Sequence, residues 1–342
     1  MRYSCARWTS SLVLVLLVAS SASGVTMAWT PIGDPGNAAD TRVMNLEGST
    51  GYGSVHYNYS IGTYEVTNAQ YAEFLNAKAQ SDSLGLYDPR MADPSYGFTS
   101  AAGFGGITRL GTAGNYSYEA IADRGNLPVN YVTFYDTLRF ANWMNNGQGS
   151  GDTETGAYTL LGATPVPTNN ATVARNTGAT IVLPSEDEWY KAAYYDAPST
   201  SYFLAPTGSN TPPTCSSATP TAAPNSANCE SFGFDDTPMP TSVGSYPGSP
   251  SPYGTFDQGG NAEEFNEYGR RGGAFDEVVI PTLANWRGFH GDNRFNFSDS
   301  ANGNNYLGFR VAMIPGGYVP EPSTGVLVIA GLLGFAMRRA RY

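Results

Sequence analysis

The residues best suited to holding a cation lie in a short acidic segment near residue 260. It reads YGTFDQGGNAEEFNEY, from Tyr253 to Tyr268, and places two adjacent glycines between Asp257 and the acid pair Glu263 and Glu264. Carboxylate and carbonyl oxygens are the ligands of hard divalent cations, and glycines let the backbone turn its carbonyls inward. The alternative is an acidic turn closed by hydrogen bonds that Asp257 and Asn261 accept from backbone amides. Residue types alone leave both interpretations open.

Thiol and imidazole chemistry has few candidates. Of three cysteines, Cys5 falls in an apolar N-terminal leader, so Cys215 and Cys229 remain. They flank a loop rich in Thr, Ala and Pro, and in an exported protein they most simply form a disulfide. A catalytic or metal-binding thiol pair is the alternative. The only histidines in the sequence are His56 and His290, too few for a histidine-based metal site or a hydrolase triad.

Both ends of the chain carry targeting patterns. Residues 1–28 combine arginines, the apolar run SLVLVLLVA and small residues, which is the pattern of a secretory signal peptide. Residues 319–342 place a Pro-Glu-Pro element before a short apolar run that ends in arginines. Basic residues after an apolar run stay on the cytoplasmic side, so we expect the body of the protein to be exported.

The C-terminal segment resembles the PEP-CTERM sorting signal of Gram-negative bacteria, in which a membrane-embedded exosortase reads the Pro-Glu-Pro element. The resemblance implies a chain that a short transmembrane segment holds transiently in the inner membrane. The chain would then reach the cell surface or the extracellular matrix. An ordinary anchor helix is disfavoured, because about fourteen apolar residues are short for a full membrane span.

Residues 30–315 form one predicted domain, because about 285 residues fall within the single-domain range and no repeat divides them. Charged residues make up 14% of the chain, whereas Gly, Tyr, Asn, Ser and Thr are abundant. This composition is typical of turns and polar aromatic packing. The net charge of -11 argues against nucleic acid and anionic membrane surfaces as partners, and it is compatible with cation binding.

Three segments predict helices because each begins with a capping sequence, in which a hydroxyl residue is followed three positions later by an acid or glutamine. The pairs are Thr67 with Gln70, Thr133 with Asp136, and Ser185 with Glu188. Short strands are predicted around IGTYEV, TIVLP and LGFRVAM. The expected fold is therefore α+β, with about three capped helices, short strands and long loops.

Six blocks, taken in order, carry a resemblance to a known family. They are GTYEVTNAQYAEFLNA, LPVNYVTFYDTLRFANWMN, LPSEDEWYKAAYY, YGTFDQGGNAEEFNE, RRGGAF and NNYLGFRVA. The chain is similar here to the formylglycine-generating enzyme, or sulfatase-modifying factor, family over nearly the whole predicted domain. The resemblance implies an irregular fold related to C-type lectins.

Family membership does not by itself carry the family's chemistry. Aerobic formylglycine-generating enzymes oxidise a substrate cysteine with copper bound by two active-site cysteines, because soft thiolates suit that metal. Counting from the GGAF block, those positions are Glu277 and Thr282 in this chain. Neither side chain can supply a thiolate, which argues against copper. The iron-dependent sulfoxide synthases of the superfamily need a histidine-rich helical domain, which this sequence lacks.

The family domain also serves as a lectin-like display scaffold, so we expect a non-catalytic module that binds an extracellular polysaccharide or a protein ligand. The alternatives are an oxidoreductase acting on sulfatase cysteines or another protein-modifying enzyme with an altered site, and a structural matrix protein. Residues 272–297 occupy the family's active-site region and form the candidate binding surface. The candidate side chains are Asp276, Glu277, Trp286, Arg287, His290, Asp292 and Arg294. The other interpretation is solvated loop charges around a buried Trp286.

The resemblance also implies calcium in the acidic segment. The family's site uses a side-chain oxygen, two carbonyls and a carboxylate, which fall on Asp257, Gly260, Ala262 and Glu264. Glu263 stands where the family has an aromatic residue. A second, more loosely aligned family site falls on Asn228, the Cys229 carbonyl and Asp235 or Asp236.

Overall fold

The structure is a computed structural model of the protein, and it describes residues 24–45, 48–95, 103–216, 220–230, 239–287 and 304–319. The predicted signal peptide up to residue 23 and the sorting signal from residue 320 lie outside these ranges. So do four predicted site residues: Asp236, His290, Asp292 and Arg294. Along the described ranges, no helix is both long and apolar enough to cross a bilayer.

The three predicted helices are confirmed, each with its capping box. They are α1 (Asn68–Lys78), α2 (Phe134–Asn145) and α3 (Glu186–Tyr194). At each start a hydroxyl accepts a hydrogen bond from the amide three residues on, and that residue's side chain accepts one from the capping amide. These reciprocal bonds satisfy backbone donors that a helix start otherwise leaves unpaired. Short 3-10 helices also occur at Pro89–Ala92, Asn170–Thr172 and Ile280–Thr282.

Helices α1 and α2 contribute an aromatic cluster to the main core. Phe74 packs edge-on against Phe140 at 5.4 Å between ring centroids, and Phe140 packs against Phe309 at 5.3 Å. Tyr71 adds a stacked contact with Phe140. Such pairs stabilise a fold by about 0.5–1.5 kcal/mol beyond their area burial.

The strands are short, as predicted. They are β1 (Trp29–Ile32), β2 (Tyr59–Gly62), β3 (Ile107–Leu110), β4 (Ser117–Ala120), β5 (Ile181–Val182), β6 (Tyr195–Asp196), β7 (Ser201–Tyr202), β8 (Thr214–Cys215), β9 (Ser226–Ala227), β10 (Glu263–Phe265), β11 (Arg270–Arg271), β12 (Leu307–Phe309) and β13 (Ala312–Met313). Three helices with many short strands make an irregular α+β fold, which confirms the predicted fold class.

Two sheets matter for the site. A four-stranded antiparallel sheet, in the order β1-β2-β13-β5, joins the two ends of the described chain: Ala312 pairs with both Ile61 and Val182. A three-stranded sheet in the order β11-β10-β12 holds the acidic segment. In it Glu264 lies opposite Gly308 on one side and Arg271 on the other. This register places the acid pair beside the last two family blocks.

Candidate functional site

The acidic segment is a tightly closed turn inside the fold. Asp257 and Asn261 adopt left-handed backbone conformations, with φ of 61° and 62°. Only glycine fits at position 260, because a Cβ there would lie 2.2 Å from the Asn228 carbonyl oxygen. The Asp257 carboxylate accepts a hydrogen bond from the Gly244 amide at 2.6 Å, and the Asn261 side chain accepts one from the Thr241 amide at 2.9 Å. The turn therefore contains the hydrogen bonds of the alternative interpretation.

The carboxylate of Glu264 is held by an ion pair in the core. Arg310 donates from Nε and Nη2 to its two oxygens at 2.7 and 2.6 Å, and Trp189 donates from Nε1 at 2.8 Å. Glu264 and Arg310 are both 0% exposed. Such a two-pronged pair satisfies a buried carboxylate in a fixed orientation. A calcium ion bound by Glu264 would share this carboxylate with Arg310.

Negative charge exceeds positive charge around Arg310. Buried Glu65, 4.0 Å from Arg310, accepts a hydrogen bond from Asn261 through Oε1, whereas its Oε2 has no hydrogen-bond partner among the described residues. Burial, with the nearby Asp257 carboxylate, raises the pKa of Glu65 well above its usual range. Burial also raises the pKa of Asp257 to about 6. Three buried carboxylates facing one guanidinium favour an additional proton or cation.

The described residues do not assemble a side-chain metal cluster: no group of three or more His, Cys, Asp and Glu side chains is placed to hold an ion. The predicted calcium set uses only two side chains and takes its other oxygens from the Gly260 and Ala262 carbonyls. The Glu65 Oε2, which accepts no hydrogen bond from the described residues, and the surplus carboxylates suit a hard cation. Calcium in this segment stays a prediction.

The second predicted metal set lies against the first segment. The Asn228 carbonyl accepts a hydrogen bond from the Asn261 amide at 2.8 Å, and the Asn228 side chain donates to the Met239 carbonyl. Cys229 forms a disulfide with Cys215. Asp236 lies outside the described residues, so this set also stays a prediction.

The two positions that match the family's catalytic cysteines are held by local hydrogen bonds. Glu277 accepts a bond from the Ala274 amide at 3.2 Å through its carboxylate. The Thr282 hydroxyl donates to the Val279 carbonyl at 2.7 Å, within the 3-10 helix. Burial, followed by the negative charges of Glu263 and Asp276, raises the pKa of Glu277 to about 8.

The disulfide lies closer to this region than its place in the sequence indicates. The amide of Glu230, the residue after Cys229, donates to the Glu277 carbonyl at 2.8 Å. An isolated parallel bridge pairs Glu230 with Val278. The residue that follows the disulfide therefore pairs with the backbone beside position 277. Spacing in the sequence contains no signal for this contact.

The other described members of the candidate binding surface divide into two groups. Asp276 lies beside Glu277; burial raises its pKa to about 6, and its buried Oδ1 has no hydrogen-bond partner within the described ranges. Trp286 and Arg287 belong to a cationic and aromatic group. The Trp286 carbonyl accepts a bond from Arg271 at 2.6 Å, and Arg287 stacks on Tyr52 at 5.4 Å.

Glu65, Trp189 and Arg310 were not among the predicted site residues, although each lies in a quoted family block. Glu65 and Arg310 could have been predicted as site residues from their charge. The sequence contains few charged residues, and an acid or a base inside an otherwise apolar block requires a buried partner. The identity of that partner is a tertiary property.

The short strands, the three capped helices and the position of the acidic segment define a lectin-like α+β domain of the kind that the six sequence blocks predict. The chain belongs to the family of sulfatase-modifying factor enzyme 1-like domains, whose model matches residues 52–313. The family resemblance is therefore confirmed. No curated protein matches the chain.

The chain is also similar to solved structures. The crystal structure of CarF is 18% identical, with a TM-score of 0.53, and the match covers 84% of this chain and 98% of that one. Treponema denticola variable protein 1 is 16% identical with a TM-score of 0.46, covering 86% and 97% of the two chains. PvdO from Pseudomonas aeruginosa is 16% identical with a TM-score of 0.45, covering 84% and 91%. At these identities the CarF match shows the fold alone.

Proposed function

We propose that this protein is an exported, calcium-stabilised ligand-binding member of the family that does not generate formylglycine. One observation carries the proposal. Glu277 and Thr282 stand at the positions of the catalytic cysteines, and Cys215 and Cys229 are bonded to each other. Copper oxidation of a cysteine needs two free thiolates close together, because hard oxygen ligands do not stabilise a soft metal.

The ligand would contact the surface built from residues 272–297. Asp276 and Glu277 supply half-buried carboxyl groups there, and Trp286 and Arg287 supply an aromatic ring and a cation. A polysaccharide or a protein of the extracellular matrix suits such a mixture, because aromatic and polar groups together give both contact area and direction. His290, Asp292 and Arg294 belong to the same proposed surface.

Export and sorting rest on the two terminal segments. We infer that the signal peptide directs the chain out of the cytoplasm and that an exosortase-type enzyme processes the Pro-Glu-Pro element. Deleting residues 319–342 is expected to release soluble protein to the periplasm or the medium. Fractionation identical to that of the full chain would contradict the sorting role.

Catalysis is tested with a peptide that carries the sulfatase cysteine motif. The full chain, purified in mild detergent, is expected to leave the peptide thiol intact with and without added copper, as measured by mass spectrometry. The assay is repeated with the Cys215–Cys229 disulfide reduced, which controls for thiols that the oxidised chain hides. Conversion of the peptide cysteine to formylglycine under either condition would support the oxidoreductase alternative.

Binding is tested by presenting the same preparation with panels of polysaccharides and envelope proteins. We expect saturable binding to at least one class of ligand. A chain that assembles into a matrix but binds neither class would support the structural alternative instead.

A further inference from the structure

A groove separate from the proposed surface lies beside Arg175. Two cavities, of about 430 and 120 Å³, share four lining residues: Arg175, Glu267, Tyr268 and Tyr318. The larger volume is within the range of about 300–1,000 Å³ that small-molecule sites occupy. We call the two together the Arg175 groove.

The charge of Arg175 is already neutralised. Its guanidinium donates to both oxygens of Glu188 at 2.9 Å, to Glu267 Oε1 at 2.9 Å, and to the Leu183 carbonyl at 2.9 Å. Its side chain is only 4% exposed. Arg175 is therefore not expected to attract an anion into the groove, because Glu188 and Glu267 already pair with its guanidinium.

Glu267 presents an oriented acceptor to the groove. Its Oε1 accepts hydrogen bonds from Tyr158 at 2.6 Å and from Arg175. Its Oε2 accepts none from the described residues, and the side chain remains 16% exposed. Because two donors fix the carboxylate, the remaining oxygen is held in place for a hydroxyl donor. A fixed acceptor loses less conformational freedom on binding than a mobile one.

Aromatic rings line the same groove. Tyr318 lies under the Arg175 guanidinium, 5.0 Å from the ring centroid, and Tyr268 is 50% exposed. Tyr57 lines the larger cavity, and its hydroxyl donates to Glu188 at 2.5 Å, which fixes the ring. Rigid tyrosine rings offer apolar area for the C–H faces of a pyranose at low entropic cost.

The rim adds a carboxylate and an imidazole. Asp187 and exposed His56 line the larger cavity, and the Asp187 carboxylate accepts a hydrogen bond from the Gly53 amide at 2.7 Å. Arg175 offsets only one of the three carboxylates of Glu188, Glu267 and Asp187, so the groove is negative. Like charges repel, so uronic acids and sulfated sugars are disfavoured.

We propose that the Arg175 groove binds a neutral oligosaccharide, with Tyr318 and Tyr268 stacking on sugar rings and Glu267 Oε2 accepting a sugar hydroxyl. This inference rests on the proposed binding function and names a site and a ligand class for it. The groove joins residues that lie far apart along the chain, from Ser54 to Tyr318, and neither of the family positions 277 and 282 contributes to it.

The test measures binding of cellotetraose and maltotetraose, with a uronic acid tetramer as the acidic counterpart, by calorimetry on the full chain in mild detergent. Tyr318→Ala and Glu267→Gln are each expected to weaken binding of the preferred neutral tetramer at least tenfold. Tyr268→Ala, which leaves the Arg175 ion pairs intact, is expected to weaken it several-fold. Thermal melts of each variant identify any loss of folding.

Tyr116→Ala is the matched control, because Tyr116 also lies under an arginine, Arg109, at 4.4 Å, but outside the groove. It is expected to bind the tetramer as the unchanged protein does. Tetramer binding that survives all three groove variants but fails in Trp286→Ala would overturn the groove and leave the proposed function standing. Stronger binding of the acidic tetramer, or binding of peptides alone, would overturn the assignment to neutral sugars. Failure to bind any sugar or protein would contradict both proposals.

Discussion

Two acidic regions of this protein look alike in composition and differ in what surrounds them. The segment from Asp257 to Glu264 places the Glu264 carboxylate in the core, where Arg310 holds it, and the Gly244 amide donates to Asp257. The segment from Gly272 to Thr282 leaves Asp276 and Glu277 half-buried, beside other carboxylates. The comparison shows that acid content does not define a role, because a carboxylate's function depends on its partner and its access to solvent.

The difference follows from the available cations. Arg310 reaches Glu264 because the strand pairing of β10 with β12 brings residues 264 and 308 side by side. Near Glu277, by contrast, Arg270 forms an ion pair with Glu263 at 3.1 Å. The first region is organised by the buried Glu264–Arg310 pair. The second contains half-buried Glu277, whose pKa is raised to about 8, above the value of about 6 for Asp257 in the first region. Four experiments test this contrast.

The largest expected effect comes from removing the partner of Arg310. Glu264→Ala leaves a fully buried guanidinium without its carboxylate, so we expect the free energy of unfolding to fall by about 3–5 kcal/mol. Glu73→Ala, at an exposed position on α1, is the control and is expected to change it by less than about 0.5 kcal/mol. Urea denaturation measures both. A small effect of Glu264→Ala would show that Arg310 does not depend on this carboxylate.

The disulfide is expected to stabilise the second region through the Glu230 and Glu277 backbone pairing. Replacing both cysteines in Cys215→Ser/Cys229→Ser opens a loop of about 15 residues, which the chain-entropy model values at about 3 kcal/mol. Hydrogen exchange should also increase at the Glu230 amide. If exchange there is unchanged while stability falls, the bond acts on the unfolded chain alone.

Calcium is expected to stabilise the first region and leave the second unaffected. A ligand that binds only the folded state adds about 2.7 kcal/mol at 100 times its Kd, so calcium should raise Tm and a chelator should lower it. Asp257→Asn should remove the shift, whereas Glu119→Gln, at an exposed acid, should retain it. A calcium shift of equal size in Asp257→Asn would place the ion elsewhere. If calcium does not shift the Tm of the unchanged protein, the segment is an acidic turn that does not bind calcium.

The smallest expected effect is a pH dependence from the second region. Because the folded pKa of Glu277, about 8, exceeds its unfolded value, its stabilising contribution is present at low pH and is lost as pH rises towards 8. Glu277→Gln should remove this loss. Solvent screens the half-buried carboxyl, so the effect falls well below the roughly 1.4 kcal/mol per pKa unit of an unscreened shift, and at pH 8.5 we expect the variant to gain about 1–2 kcal/mol relative to its difference at pH 4. Denaturation at both pH values measures it.

Asp276→Asn provides the matched comparison, because burial raises the pKa of Asp276 only to about 6. Its gain should therefore develop at lower pH than that of Glu277→Gln. Identical pH profiles for the two variants would mean that the carboxyls titrate as one group. A flat profile for both would contradict the contrast between the two regions.

Much of the fold could be predicted, whereas the site could be predicted only in part. The helix starts at Thr67, Thr133 and Ser185 follow from side chains three residues apart, so local sequence contains the whole signal. The ion pair between Arg310 and Glu264, by contrast, depends on the pairing of β10 with β12. Its paired residues Glu264 and Gly308 lie 44 positions apart in the sequence. Periodicity and spacing do not encode such a pairing.

The sequence by itself determined the three capped helices, the order of the family blocks, and the absence of cysteine at positions 277 and 282, because each depends only on residue identity and near neighbours. Only the tertiary structure decided which carboxylates would be paired. It brought Glu230 to Glu277, and it built the Arg175 groove from Tyr57, Glu267 and Tyr318. The physical reason is that burial and charge pairing act between atoms close in space, whatever their separation along the chain.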